Sequence, residues 1–109
     1  MSASQTEEAV ARAVNELRRR QGVPPLRVAH LDRLDALACR PGITISRLLE
    51  DLPSSHGAVI FTMFEPADLP KSLSQMALDN GVTALSLRAC PMGSERGGNG
   101  GYRMAAVFF

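Results

Sequence analysis

Apolar positions along the chain change their period several times, and each change marks an element. Val10, Val14 and Leu17 recur at i, i+4 and i+7 with Ala13 beside them, the single stripe of an amphipathic helix. Thr6 followed by Glu7 and Glu8 predicts an N-cap and acids at the positive end of the helix dipole, which leaves residues 1–5 as a flexible leader. The helix is expected to run to about Gln21 and stop at Gly22. Arg18, Arg19 and Arg20 fall in its last turn, where cations complement the dipole, and they read as a solvated helix end. Val23-Pro24-Pro25-Leu26 is then a stiff extended connector, because proline fixes its own φ and drives the preceding residue out of helical space. A second helix is predicted from Leu31 to Cys39, with Leu31, Leu34, Leu37 and Ala38 inward, ended by Arg40-Pro41-Gly42. A short helical segment follows Ile43-Thr44-Ile45-Ser46, carries Leu48, Leu49 and Leu52, and stops at Pro53.

Beyond the turn formers Ser54-Ser55-His56-Gly57, the run from Ala58 to Phe64 is apolar on both alternating faces. That pattern predicts a central strand covered on both sides. Glu65-Pro66-Ala67 breaks it, and Asp68 is expected to cap a helix with Pro70 in its first turn. Leu69, Leu73, Met76 and Ala77 form that helix's inward stripe, and Asn80-Gly81 ends it. Val82 to Ala89 alternates as a strand does, and Tyr102 to Phe109 reads as the last strand. The glycine-rich stretch from Pro91 to Gly101 between them is expected to be a long hairpin connection. The order of elements predicts the α+β class: a small, about three-stranded antiparallel sheet with helices packed on it, in a single domain over residues 6–109.

Composition narrows the function classes. At 109 residues, 45% hydrophobic and 21% charged, the chain has the makeup of one folded domain. A net charge of +1 gives no general attraction to nucleic acid or to an anionic membrane surface. One tyrosine, no tryptophan and no interleaving of basic and aromatic residues also argue against base stacking. No stretch approaches the ~20 apolar residues that span a bilayer. The start, Met1 to Thr6, lacks the basic and apolar regions of a signal peptide, so by itself it suggests a cytoplasmic chain. Cys39 and Cys90 allow one bridge or two buried thiols, and they are too few for a zinc cluster.

The run Asn15-Glu16-Leu17-Arg18-Arg19-Arg20-Gln21-Gly22-Val23-Pro24-Pro25-Leu26-Arg27-Val28, followed by Leu31 and Leu37-Ala38, resembles the opening of CAP domains. This superfamily comprises the cysteine-rich secretory proteins, antigen 5 and the pathogenesis-related proteins. Its bacterial members typically open with N-x-x-R-x-x-x-G-x-P-P-L. Asn15 and either Arg18 or Arg19 take the first positions, and Gly22, Pro24, Pro25 and Leu26 match. Gly81-Val82 entering a strand, and Gly101 to Phe108, are similar to the closing strands of the family. The resemblance implies an α-β-α sandwich and a secreted or periplasmic address. In many members it also implies a cleft with two histidines and two acids linked to divalent metal. Arg40-Pro41, Ser55-His56-Gly57 and Ser72 to Ala77 stand where the family supplies its histidines, acid and tryptophan, so no family site residue is carried over and no metal or cofactor is expected.

The residues themselves offer little catalytic chemistry. His30 and His56 are the only histidines and lack metal-ligand spacing, so each reads as structural, near a helix start and in a turn. The catalytic set is therefore expected to be empty. Its weak alternative is a hydrolase in which Cys39 or a carboxylate acts with His56. Glu50-Asp51, and Glu65 with Asp68, read as capping or solvated acids, and the glycine loop lacks the phosphate-binding signature. The leading expectation is a non-catalytic binding module engaging a protein partner or an envelope component. The apolar end from Ala105 to Phe109 reads equally as a core strand or as an exposed edge able to pair with its own copy.

Overall fold

A computed structural model describes residues 2–63, 69–92 and 101–109. The elements are α1 (Ala3–Arg20), β1 (Arg27–Val28), α2 (Asp32–Ala38), α3 (Ile45–Asp51), β2 (Gly57–Met63), α4 (Lys71–Ala77), β3 (Ala84–Pro91) and β4 (Tyr102–Phe108). The expected cap Asp68, the breaker Glu65-Pro66-Ala67 and most of the glycine loop lie outside the described residues.

The four strands form one mixed sheet in the order β1-β3-β4-β2. β4 runs antiparallel to both β3 and β2, while β1 is parallel to β3, so the all-antiparallel, three-stranded expectation is corrected. The α+β class stands. Alternation along the strands sorts their side chains into two cores. Val59, Leu85, Leu87, Ala89, Met104, Ala106 and Phe108 meet α1 and α4 on one face. Ala58, Cys90, Ala105 and Val107 meet Leu34, Leu37 and Ala38 of α2 and Leu48 of α3 on the other. The sheet is thus the middle of three layers. This doubles the demand for apolar residues and explains why the central strand β4 is buried from Met104 to Phe108.

Sheet order also corrects two positions. β2 is an edge strand rather than a central one: its apolar pattern reports helices on both faces, not strands on both sides. β4, the last strand, has neighbours on both sides and offers no edge for docking.

α1 begins three residues earlier than Thr6. The Ser2 side chain accepts from the Gln5 N–H at 3.1 Å and the Gln5 side chain accepts from the Ser2 N–H at 2.8 Å, a reciprocal capping box that draws most of the expected leader into the helix. Thr6 is instead buried within it and donates its hydroxyl to the Ser2 carbonyl. The helix ends as expected: Gln21 is the C-cap, and Gly22 follows with φ of +71°, a backbone shape that disfavours side chains bearing a Cβ. At α4 the cap is Pro70, so that proline precedes the first turn rather than lying in it.

Arg18 is the largest departure from the expected solvated end. It is only 3% exposed, its Nε donates to the Pro24 carbonyl at 2.6 Å, and a terminal nitrogen donates to the Ala77 carbonyl at 2.7 Å. Ala77 is the last residue of α4, so the guanidinium satisfies carbonyls at the negative end of that helix. Three residues earlier on α1, Asn15 clamps the backbone of Leu26 in both directions, accepting its N–H at 2.7 Å and donating to its carbonyl at 3.2 Å. Asn15 and Arg18 together hold the Pro24-Pro25 corner against α1, and the chain leaves that corner as β1, a strand the connector reading missed. Arg19 and Arg20 do lie in solvent. They pair with Glu16, whose carboxyl is lowered to about 2 chiefly by the Arg19 hydrogen bond.

Cys39 and Cys90 form a disulfide that joins the C-cap of α2 to β3 across 51 residues of sequence. Arg103, opposite Cys90 in the sheet register, donates to the carbonyls of Ala38 and Arg40 on either side of Cys39. No helix among the described residues is long and apolar enough to cross a membrane.

Candidate functional sites at the two sheet edges

The two edges of the sheet carry the chemistry, and they differ. On the β1 side, pairing lasts two residues: the Arg27 N–H donates to the Thr83 carbonyl and the Ala29 N–H to the Leu85 carbonyl. Beyond that point the edge of β3 passes to a side chain. Glu7 of α1 accepts the Ala89 N–H at 2.9 Å, in place of the missing strand. A cleft of about 260 Å³ opens here, with Glu7 and Glu8 on one wall and His30 and Leu87 on the other.

Charges crowd this corner. His30 Nε2 lies 2.8 Å from Asp35 and 3.5 Å from Asp32, both in the first turn of α2, where acids suit the helix dipole. Arg88 stands between Asp35 at 3.9 Å and Glu7 at 4.0 Å. The donor atoms of His30, Asp32 and Asp35 fall within 4.8 Å of one another, a set chemically suited to a divalent cation. His30 and Arg88 both stand beside Asp35, and exposed acidic groups of this kind are common without a metal.

On the β2 side, the seven-residue strand pairs with β4 in unbroken register from Gly57 opposite Phe108 to Met63 opposite Tyr102. No strand pairs with its outer side among the described residues. A groove of about 440 Å³ runs along this edge. Its walls are Ile45 of α3 on one face and Ser72, Gln75 and Met76 of α4 on the other. Ile45 is 42% exposed, one of the few large apolar side chains left so open. Val59 and Ala58 form the floor, and Asp79 closes one end.

That end holds the second histidine. His56 Nε2 lies 3.0 Å from Asp79 Oδ2, while Asp79 Oδ1 accepts the Gly81 N–H at 2.7 Å. The Gly81 hydrogen bond, and secondarily His56, hold the Asp79 carboxyl below its usual range. A Cβ at position 81 would stand 3.1 Å from Asp79 Oδ1 and 3.2 Å from His56 Cε1, so the glycine leaves this pair its room.

The structure separates the residues that a hydrolase or a two-histidine metal cleft would need together. Cys39 is bridged and has no thiolate to offer. Its partner Cys90 lies opposite Arg103, whereas His56 precedes Gly57, which lies opposite Phe108. Five residues of β4 separate those positions, roughly 17 Å along the strand. His56 instead finds Asp79 as its carboxylate partner. His30 and His56 stand at opposite edges of a four-stranded sheet, about 14 Å apart by strand spacing alone. The paired-histidine metal group implied by the resemblance therefore does not fit these residues. Glu50 is exposed and Asp51 pairs with Arg47 at 3.3 Å, in keeping with solvated helix acids.

Sequence reasoning missed Asp79, Glu7 and the β2 edge. Asp79-Asn80-Gly81 was readable only as a helix stop, and nothing local shows that His56 will arrive beside it. No family model, no curated protein and no solved structure matches the chain.

Proposed function

We propose that this chain is a non-catalytic binding module of CAP-like architecture, and that it engages a protein partner through an extended segment laid along the β2 edge. One observation carries the reading. The edge is seven residues long, free of charge and proline, and set in a groove between two helices, which suits main-chain hydrogen bonding to an added strand. Ser72 and Gln75 on the α4 wall supply side-chain donors and acceptors beside it, and Ile45 and Met76 supply apolar contact. The bridged cysteines favour an oxidising compartment, in keeping with a secreted or periplasmic address.

The test is a library of random 12-residue peptides displayed on phage, selected on the folded chain and followed by backbone NMR. The reading expects selected peptides to shift the amides of residues 57–63 together with Ser72 and Gln75. Selected peptides that shift only the Glu7, His30 and Asp35 corner would overturn it, and so would a selection that yields none.

The competing reading, a small carboxylate-dependent hydrolase, draws on the His56–Asp79 pair at the end of the same groove. It requires an activity against a panel of chromogenic ester and peptide substrates that His56→Ala abolishes while the fold persists. Activity that survives His56→Ala removes this reading.

A further inference from the structure

Within the binding-module reading, on which this step rests, the groove beside β2 sets the chemistry of what lies in it. We infer that the partner presents an extended segment in which apolar and polar side chains alternate, with a lysine or arginine at the polar position beside Asp79. The two walls differ. On the α4 side, Ser72, Gln75, Met76 and Asp79 recur at i, i+3, i+4 and i+7, the spacing of one helix face continued just past the C-cap, and all but Met76 are polar. On the α3 side the wall is Ile45, beside the half-buried Ile60 of the strand. A strand laid along β2 turns its alternate side chains to these two walls. Partner residues opposite Gly57 and Val59 point toward α4, and those opposite Ala58 and Ile60 point toward α3, following the faces that β2 already presents to the two cores.

Charge selects the residue at the end. Among the described residues lining the groove, Asp79 alone is ionisable. It lies at the start of β2, because His56 bonds it and Met76, three residues before it, packs against Gly57. Its hydrogen bonds from the Gly81 N–H and from His56 Nε2 use roughly two of the four acceptor positions of a carboxylate. Its side chain is 41% exposed, so the remaining positions are reachable. The Gly81 bond, with His56, also favours its charged form. A cation on the partner residue opposite Gly57 meets this carboxylate on the α4 side, and an acid in the same place is repelled. Seating a strand in the groove displaces water from around the pair, which strengthens both effects. A second copy of the chain does not supply this cation through β2 itself, since Gly57 to Met63 carries no charge.

The phage-selected peptides test the inference when their affinities are measured on the folded, disulfide-bonded chain. They are expected to share a lysine or arginine whose residue shows intermolecular NOEs to Gly57, flanked on both sides by apolar residues. Replacing that cation by glutamine should weaken binding about fivefold, and the loss should shrink in high salt. Asp79→Asn, which keeps an acceptor for the Gly81 N–H, should cost the cationic peptide a similar factor and the glutamine peptide nothing further. Gln75 is exposed one turn before Asp79, so Gln75→Glu should tighten capture of the cationic peptide about twofold and Gln75→Arg should weaken it by a similar factor. An Asp79→Asn loss equal for both peptides overturns the inference, as it marks a structural role for the carboxylate. Protection of residues 57–63 that rises with protein concentration and no peptide also overturns it, because the occupant is then another copy. If peptides bind along residues 57–63 with no preference for a cation, only the chemistry of the occupant has failed; if none bind, the binding-module reading has failed with it.

Discussion

The two edges of this sheet solve the same physical problem in opposite ways. Any outer strand leaves a row of backbone donors and acceptors without partners. At the β3 edge the chain covers them itself, first with the two residues of β1 and then with the Glu7 carboxylate, and it surrounds the remainder with Arg88, His30 and the acids of α2. At the β2 edge the strand itself carries no charge, no covering strand pairs with it among the described residues, and a groove with Asp79 at its end flanks it. The first edge ends in a two-residue strand and a carboxylate, and the second presents a seven-residue strand beside a groove. The contrast teaches that a highly apolar strand need not be central: β2 owes its composition to helices on both faces, and no strand pairs with its outer side among the described residues.

The closed edge can be broken, and the largest effect should come from the disulfide that ties α2 to β3. Replacing both cysteines by serine restores the freedom of a 51-residue loop in the unfolded chain and should cost about 4 kcal/mol, read as a lower urea midpoint, with a steeper slope because the unfolded chain exposes more surface. Arg18→Ala comes next, because it strands the carbonyls of Pro24 and Ala77 in a buried setting. A loss of about 2–3 kcal/mol is expected by the same measurement, with Arg18→Lys recovering only part of it, since a lysine cannot span both acceptors. Glu7→Ala should cost about 1–2 kcal/mol and release the Ala89 amide to rapid hydrogen exchange, converting the closed edge locally into an open one.

These losses sharpen the comparison because the open edge should show none of them. Gln75→Arg, exposed beside β2, is expected to leave stability within about 0.5 kcal/mol of the parent while weakening capture of the selected peptides.

The smallest effect should be the pH response at Asp79. Its carboxyl is lowered in the folded chain by the Gly81 N–H and by His56, so its contribution is present above the ordinary aspartate range and disappears as pH falls through the lowered value. Asp79→Asn should therefore lower stability slightly in the neutral region, leave the acid end unchanged and so flatten the acid limb of the stability curve. Glu16, lowered to about 2 by Arg19, follows the same sign, and its contribution is lost between its ordinary 4.5 and that value.

Much of this architecture was legible along the chain. The helix stripe at Val10, Val14 and Leu17, the stop at Gly22, the apolar run from Ala58 and the alternation from Val82 each led to an element in the right place, because each rests on local periodicity. What escaped depends on contacts distant in sequence. Arg18 looks like its neighbours Arg19 and Arg20, and only the arrival of α4 59 residues later gives it carbonyls to bind. β1 is two residues long, too short to show a period, and exists because Asn15 and Arg18 aim the proline corner at β3. Strand order cannot be read from the apolarity of β2, which is the same for a covered edge as for a centre. The capping box is present in the sequence as Ser2-Ala3-Ser4-Gln5, but the reading from Thr6 and the acids after it passed it over. Of the candidate site, the histidines were visible but their carboxylate partners were not, since Asp79 lies 23 residues from His56.

The central claim is that the β2 edge is open in the single chain and closes on a partner strand. Amide hydrogen exchange at residues 57–63, compared with Ala89 in the same dilute sample, tests it most directly. The account predicts fast exchange at the outward amides of β2 beside a protected Ala89, and protection at β2 when a selected peptide is added. Outward β2 amides already protected in the chain alone, or as fast with the selected peptide as without it, would contradict it.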